Sequence, residues 1–180
     1  MKSVFLLVGA MLLLTVCVSA QQTTPESVYT DLAPEKCKTL ELNESEAGSY
    51  VGECPGAGDY KLELLEGDLR QTINVVAPNG KKYSLNLWTI VSTGFSSMGD
   101  KAEWRAARQN GKLRPTALIV RFNASENPED ASKITSYLVV SKITASDVCV
   151  TDIIKPSPDA NARARTAADS AAGKPCRAIE

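Results

Sequence analysis

The chain has 180 residues and a formal net charge of −1, from 20 lysines and arginines against 21 acidic residues. This length suits one domain with a core of its own, and a near-neutral chain lacks the basic footprint of a nucleic-acid partner. The sequence contains no histidine, which excludes a Ser-His-Asp or Cys-His centre and the usual metal sites. It also lacks a phosphate loop and a dinucleotide fingerprint, so we expect no metal and no cofactor.

The first 20 residues have the pattern of a secretory signal peptide. Lys2 supplies the positive start, residues 4–16 are apolar, and Val18-Ser19-Ala20 is a small-residue cleavage site. The apolar run is too short for a transmembrane helix and no later stretch could span a bilayer, so we expect a periplasmic or secreted chain without a membrane span. Cys17 leaves lipid modification open, although Val16 before it departs from the small residue that lipoprotein processing prefers.

Four cysteines remain after that cleavage: Cys37, Cys54, Cys149 and Cys176. An even number in an oxidising compartment favours two disulfides, for which three connectivities exist. We predict Cys37–Cys54, which would close the N-terminal segment onto the sheet, and Cys149–Cys176, which would fasten the C-terminal tail to a late strand. The alternative, a zinc site, lacks both a C-x-x-C pair and histidine.

The mature chain begins with a polar stretch and then changes to a strand-rich domain. Residues 21–36 contain two prolines and no sustained hydrophobic period, which predicts a flexible N-terminal segment. Residues 37–155 are predicted to form one antiparallel β domain. Its first strands are expected over 37–42 and 49–54, followed by a loop of glycine and proline at 55–59.

The centre of the chain reads as a three-stranded meander. Alternating apolar residues predict strands over 60–66, 71–77 and 82–91. Residues 67–70 connect the first two strands, and Asn79-Gly80 lies between the last two. Asn-Gly between apolar runs indicates a type I′ hairpin, in which both central residues take a positive φ.

A second hairpin is predicted around Asn110-Gly111. Its arms would be residues 101–109 and 112–122, although residues 102–108 would also suit a short helix. The turn chemistry favours the strand. Residues 117–120 form a continuous apolar run, which indicates a strand buried on both faces.

Further apolar residues lie before and after this hairpin. Residues 92–99 are rich in serine and glycine, and we expect this loop to tuck Phe95 and Met98 under itself. Two more strands are predicted over 133–143 and 147–154, where β-branched residues are frequent.

Residues 156–180 differ in composition from the strands before them. Prolines break the sheet, and residues 160–172 are rich in alanine, which predicts a helix with Asp159 as its N-cap and Gly173 as its end. The apolar face of this helix is thin, so Cys176 is expected to hold it. Together these elements predict a mainly β fold, an antiparallel sandwich or barrel of about seven or eight strands with a C-terminal helix.

Two features of the predicted strands are candidates for binding. Along a strand, Trp104 points to one face while Glu103 and Arg105 point to the other, where Arg121 of the following strand could join them. This group forms either an internal ionic cluster or an exposed recognition patch. Trp88 is out of phase with its apolar neighbours, so it either faces outward to stack on a sugar or a protein, or is covered by the C-terminal helix.

The turn at residues 66–70 also carries charge. In the simpler interpretation Gly67 supplies a backbone conformation, Asp68 bonds its own backbone and Arg70 faces water. In the functional interpretation Arg70 presents its guanidinium to a carboxylate. We favour the first.

Enzymatic activity in a chain without histidine would depend on carboxylates, as in glycoside hydrolysis. The candidates by residue type are Glu53, Glu63, Glu66, Asp68 and Glu103. The sequence alone does not show which of them lie close together, so we assign no catalytic residue.

Several motifs are spread over most of the mature chain: Tyr29-Thr30-Asp31-Leu32 with Cys37, Cys54-Pro55-Gly56, Glu66-Gly67-Asp68-Leu69-Arg70, Glu103-Trp104-Arg105 and Ala117-Leu118-Ile119-Val120-Arg121. Together they resemble an uncharacterised family of short secreted bacterial proteins. The resemblance implies export and a bacterial host, and it carries no activity.

These observations favour an exported, non-catalytic envelope protein that binds a protein or a glycan. The predicted binding face contains Trp88, Glu103, Arg105 and Arg121. A carboxylate-dependent hydrolase of cell-wall or extracellular glycan is the first alternative, and a structural envelope component without a ligand is the second.

Overall fold

A computed structural model of the chain describes residues 24–45 and 48–178, and within these residues it contains ten strands and two α-helices. The strands are β1 (Glu26–Asp31), β2 (Lys38–Asn43), β3 (Ser49–Pro55), β4 (Lys61–Gly67), β5 (Arg70–Val76), β6 (Lys82–Ser84), β7 (Ser96–Gln109), β8 (Lys112–Ser125), β9 (Ile134–Ile143) and β10 (Val148–Ile154). The helices are α1 (Leu87–Ile90) and α2 (Ala160–Asp169), and single 3-10 turns lie at Pro34–Lys36 and Ala171–Gly173.

The strands form two five-stranded sheets with antiparallel neighbours. The first sheet has the order β1-β7-β8-β9-β10 and the second the order β2-β3-β4-β5-β6. The predicted mainly β, antiparallel fold with a C-terminal helix is therefore confirmed, but the described residues form ten strands rather than seven or eight.

The additional strand β1 lies inside residues 21–36, which we expected to be irregular. It pairs with β7 in a register that runs from Glu26 opposite Ala106 to Asp31 opposite Lys101. Its polar residues gave no strong strand signal because an edge strand is half solvated and depends on a partner that is distant in sequence.

The main core fills the space between the two sheets. The second sheet contributes Leu62, Leu64, Ile73 and Val75, and the first contributes Trp104, Leu118, Val120, Phe122 and Val139. Trp104 is fully buried, and its indole nitrogen donates a hydrogen bond to Thr30 Oγ1 at 2.8 Å. A buried tryptophan needs such a partner because its N–H would otherwise lose its bond to water.

A second apolar layer lies between the first sheet and α2. Ala164 and Ala168 of the helix pack on a row of buried side chains that includes Ile119 and Val140. Residues 117–120 are all buried, so the prediction of a strand buried on both faces is confirmed. Small alanines let the helix approach the sheet closely, but they bury little apolar area.

The ends of α2 differ from the sequence prediction. The helix begins directly after Asp159, yet the Asp159 carboxylate accepts a hydrogen bond from Ser157 and does not cap the helix. The helix ends at Asp169, before Gly173, because the chain tightens into a 3-10 turn over Ala171–Gly173.

The third strand of the predicted meander is much shorter than residues 82–91. β6 ends at Ser84, Asn86 adopts a left-handed φ of 46°, and residues 87–90 form the single turn α1. Leu87 is buried between the sheets, and its N–H donates to Thr72 Oγ1 at 2.9 Å. The alternation of apolar residues runs on past Ser84 and predicted a strand there, but Asn86 turns the backbone out of the sheet.

The two Asn-Gly pairs form different turns. Asn110 and Gly111 have φ values of 52° and 75°, as the predicted type I′ turn requires. At the other pair only Gly80 has a positive φ, of 80°, and its N–H bonds Ala77 O at 2.8 Å. That hairpin therefore has a longer loop, in which a turn precedes one left-handed glycine.

The segment after α1 also differs from expectation in part. Met98 is buried, whereas Phe95 is 52 % exposed and does not tuck under its loop. The chain is already in β7 from Ser96 onward, and residues 102–108 are a strand rather than a helix, as the turn chemistry favoured.

Both disulfides join the predicted pairs, Cys37–Cys54 and Cys149–Cys176. All four cysteines are therefore used in bonds that are typical of an oxidising compartment. The predicted signal peptide, residues 1–20, lies outside the described residues, and so does Cys17. No helix over residues 24–45 and 48–178 is both long enough and apolar enough to cross a bilayer.

Candidate binding site

Glu103 and Arg105 lie beneath α2 and form an internal ionic cluster. Glu103 is 9 % exposed and accepts hydrogen bonds from Arg165 Nε at 2.6 Å and from the Ser27 hydroxyl at 2.5 Å. Arg105 is 8 % exposed, and its guanidinium donates to both carboxylate oxygens of Asp169, at 2.7 and 3.0 Å. The structure therefore places these two residues where they fasten the helix to the sheet.

The electrostatics of this cluster follow from its geometry. Burial alone would raise the pKa of Glu103, but the hydrogen bonds from Arg165 and Ser27, together with the charge of Arg165, hold it below its ordinary value. The hydrogen bond to Glu103 in turn raises the pKa of Arg165. The Glu103 carboxylate therefore stays charged at neutral pH although it is buried.

Arg121 does not join this cluster. Its side chain donates to the Ser136 hydroxyl at 2.9 Å, and its Cβ lies beside Gly99, which precedes Glu103 in β7 by four residues. Trp88, by contrast, is partly exposed on α1 and lines a surface cavity. Because α2 packs on the first sheet, it leaves Trp88 uncovered.

The carboxylates considered for catalysis are engaged with neighbouring side chains. Glu53 pairs with Lys61, Glu63 with Lys82 and Asn74, Glu66 with Gln71, Asp68 with Arg70, and Glu103 with Arg165. Glu53 and Glu63 face each other across β3 and β4. Each has its own cationic partner, because Glu53 bonds Lys61 and Glu63 bonds Lys82.

One end of the sandwich carries an unusual concentration of exposed apolar side chains. The described part of the chain has six large exposed hydrophobic residues, and three of them border one shallow depression there. These are Leu69, Phe95 and Ile134, which are 63 %, 52 % and 54 % exposed. We call this region, together with Arg70 and Trp88, the loop-end surface.

Two larger cavities adjoin the loop-end surface. One, of about 490 Å³, is lined by Gly67, Asp68, Arg70, Trp88, Thr89 and Thr93. The other, of about 390 Å³, shares Arg70 and Thr93 with the first and continues past Phe95 to the loop between β8 and β9. The side chain of Arg70 therefore stands between two neighbouring cavities.

The loop-end surface is built on a turn with an unfavourable backbone. Asp68 and Leu69 have φ values of 51° and 58°, which a type I′ turn requires and which leucine rarely adopts. Hydrogen bonds fix this turn to the start of β7: Ser96 N–H donates to Leu69 O at 3.1 Å, and Met98 N–H donates to the Gln71 side chain at 2.7 Å. The strained turn holds a large apolar side chain out in solvent.

Phe95 is held in place by a close approach between two loops. A Cβ on Gly94 would lie 2.3 Å from Ser125 O, so only glycine fits at this position. The adjoining Ser125 N–H donates to Phe95 O at 2.8 Å. This contact fixes the Phe95 backbone against the end of β8.

We expect Leu69→Gly to raise the free energy of unfolding by about 1 kcal/mol, because glycine adopts a positive φ without steric cost. Leu69→Ala is the matched control, since it removes the same exposed side chain and keeps the strain. Chemical denaturation of both variants measures the difference. An equal change in the two would show that the backbone of Leu69 stores no strain.

The sequence named Trp88 as a binding candidate but left open whether it is exposed, and it gave no indication that Leu69, Phe95 and Ile134 lie together at the surface. The available signal was a leucine at the centre of the Gly-Asp-Leu-Arg turn, where small polar residues are usual. Comparisons with protein-family models, with curated proteins and with solved structures found no match to this chain. The resemblance to a secreted bacterial family therefore stays a prediction.

Proposed function

We propose that this is an exported, non-catalytic protein of the bacterial envelope or its surroundings, which binds a partner protein through the loop-end surface. The observation that carries the proposal is the exposure of Leu69, Phe95 and Ile134 side by side. Isolated exposed apolar residues are ordinary, but contiguous ones at one end of a small domain mark an interaction surface.

The strained turn supports the same proposal. A leucine held at positive φ costs stability, and backbone strain of this kind concentrates at functional sites. Arg70 and Trp88 lie next to it, and both residue types are enriched among the side chains that dominate interface energies. The two disulfides support the proposed location outside the cytoplasm.

The Glu103 and Arg105 side chains do not belong to the proposed surface. Both are buried beneath α2, and each is bonded to a charged group of that helix. The internal cluster is thus the better interpretation of these two residues, and of the four predicted binding residues only Trp88 lies in the proposed surface.

Affinity capture from envelope extract of the native host tests the proposal. We expect the oxidised parent protein to retain a partner that the Leu69→Ser/Phe95→Ser variant loses, because a serine pair removes most of the apolar contact. Leu42→Ser is the matched control, since Leu42 is 62 % exposed on β2. Equal retention of that partner by all three proteins would contradict the assigned surface.

A further inference from the structure

We propose that one part of the loop-end surface, the cavity beside Trp88, is a binding site for a neutral sugar. Its lining contains none of Leu69, Phe95 and Ile134, which form the apolar contact. Its lining combines an indole, an ion pair and hydroxyl groups in one open cleft of about 490 Å³. Small-molecule sites in proteins typically span about 300–1,000 Å³. This inference goes beyond protein binding and does not depend on it.

Trp88 provides the platform for such a ligand. The apolar C–H face of a pyranose ring packs on an aromatic surface, and a rigid platform loses little entropy on binding. The backbone next to Trp88 is anchored, because its neighbour Leu87 is fully buried between the sheets and donates its N–H to Thr72 Oγ1. The indole therefore projects from a fixed point of the fold.

Asp68 and Arg70 supply polar groups of both kinds at the edge of the platform. They form an ion pair in which the two side chains remain 65 % and 36 % exposed, so both retain free hydrogen-bonding capacity. A guanidinium donates and a carboxylate accepts, which matches neighbouring hydroxyl groups that do both. Thr89 and Thr93 add two more hydroxyl groups to the lining.

The charge balance selects a neutral ligand. Asp68 already neutralises Arg70, so an acidic sugar would gain little from the guanidinium and would meet the Asp68 carboxylate. The second cavity shares Arg70 and Thr93 with the first. A longer oligosaccharide could therefore extend from the Trp88 platform past Arg70 toward Thr93.

Tryptophan fluorescence can report binding directly. Trp104 is fully buried in the core, so a change on adding sugar reports Trp88. We would titrate the oxidised full chain with three neutral probes: cellotriose, maltotriose and N,N′,N″-triacetylchitotriose. We expect a saturable change in fluorescence with at least one of them. Calorimetry, which needs no tryptophan, should show an affinity about tenfold weaker in Trp88→Phe and no binding in Trp88→Ala. No saturable response to any of the three probes would overturn the proposal.

Asp68→Asn tests the charge argument. This change frees the Arg70 guanidinium, so we expect the preference to move about tenfold toward tri-galacturonate, whereas Asp68→Asn/Arg70→Gln should lose this gain. An unchanged preference for the neutral probe would overturn the assigned roles of the pair. Asp68 is exposed and Arg70 is partly exposed, and circular dichroism would establish that the fold is retained.

Leu69→Ser separates the two surfaces. We expect it to keep sugar affinity within about twofold of the parent while it loses the captured protein, and Trp88→Ala to lose the sugar. If Leu69→Ser abolished sugar binding in a folded protein, the cavity and the apolar contact would be one site and the proposal of a distinct site would fail.

Discussion

Replacing both Cys149 and Cys176 by alanine is expected to lower the free energy of unfolding by about 3.5 kcal/mol. The bond joins β10 to the tail across a sequence separation of 27 residues. The loop that it closes contains all of α2, so its loss increases the entropy of the unfolded chain over that whole segment. We expect a decrease in Tm of about 10 °C for a domain of this size, measured by calorimetry.

The matched variant is Cys37→Ala/Cys54→Ala, whose bond spans 17 residues and should contribute about 3 kcal/mol. In the first variant the tail keeps other contacts: Lys174 Nζ lies 2.8 Å from the Asp152 carboxylate, and Arg177 N–H donates to Val150 O at 2.8 Å. A loss below about 1 kcal/mol would mean that these contacts, rather than the disulfide, limit unfolding of the tail.

Most of the fold was predictable because its signals are local. Alternation of apolar residues located β4 and β5, a continuous apolar run located β8, and Asn110-Gly111 defined a tight hairpin through the backbone conformation that it favours. The number of cysteines predicted two disulfides but left three connectivities open, of which the structure contains the predicted one. The strand and turn predictions depended on residues close together in the sequence.

The predictions that were wrong concern segments whose structure depends on contacts between residues distant in sequence. β1 is a strand because it pairs with β7, some 70 residues later. α1 forms where Asn86 leaves the sheet and Leu87 bonds Thr72. In both cases tertiary contacts outweighed the local pattern, as they often do for half-buried segments.

The candidate site was predictable only in part for the same reason. Trp88 was identified by its phase within an apolar run, yet it reaches the surface on a helical turn rather than on a strand. Leu69 and Ile134 are 65 residues apart, and only the packing of the two sheets brings them together. The partners of Glu103 and Arg105 proved to be on α2, whereas the sequence suggested Arg121.

Arg165→Met is expected to lower the free energy of unfolding by about 2 kcal/mol at neutral pH, because it leaves the Glu103 carboxylate buried without its cation. The value is below that of a fully buried pair because the Arg165 side chain is 42 % exposed. Glu103→Gln should cost about 1 kcal/mol, since the freed Arg165 can reach water. Urea denaturation measures both losses in the free energy of unfolding. The loss should be larger in Arg165→Met, because Glu103 is the buried partner.

The pH dependence of the free energy of unfolding shows whether Arg165→Met destabilises the protein by leaving a buried charge or by removing packing. In the parent the pKa of Glu103 lies below its ordinary value of 4.5, so its stabilising contribution is full above that value and is lost as pH falls through the lower folded pKa. In Arg165→Met burial dominates and raises the folded pKa, so the deficit present at neutral pH shrinks on acidification. The difference between parent and variant should therefore narrow from pH 7 to about pH 4.

The double variant Glu103→Gln/Arg165→Met completes the cycle. We expect it to be about 1 kcal/mol more stable than the sum of the single effects predicts, because the methionine no longer faces a buried charge. It should also lack the pH-dependent narrowing, since the titrating group is gone. Additive losses, or a deficit in Arg165→Met that is constant between the two pH values, would show that Arg165 supports α2 through its alkyl chain and not through its charge.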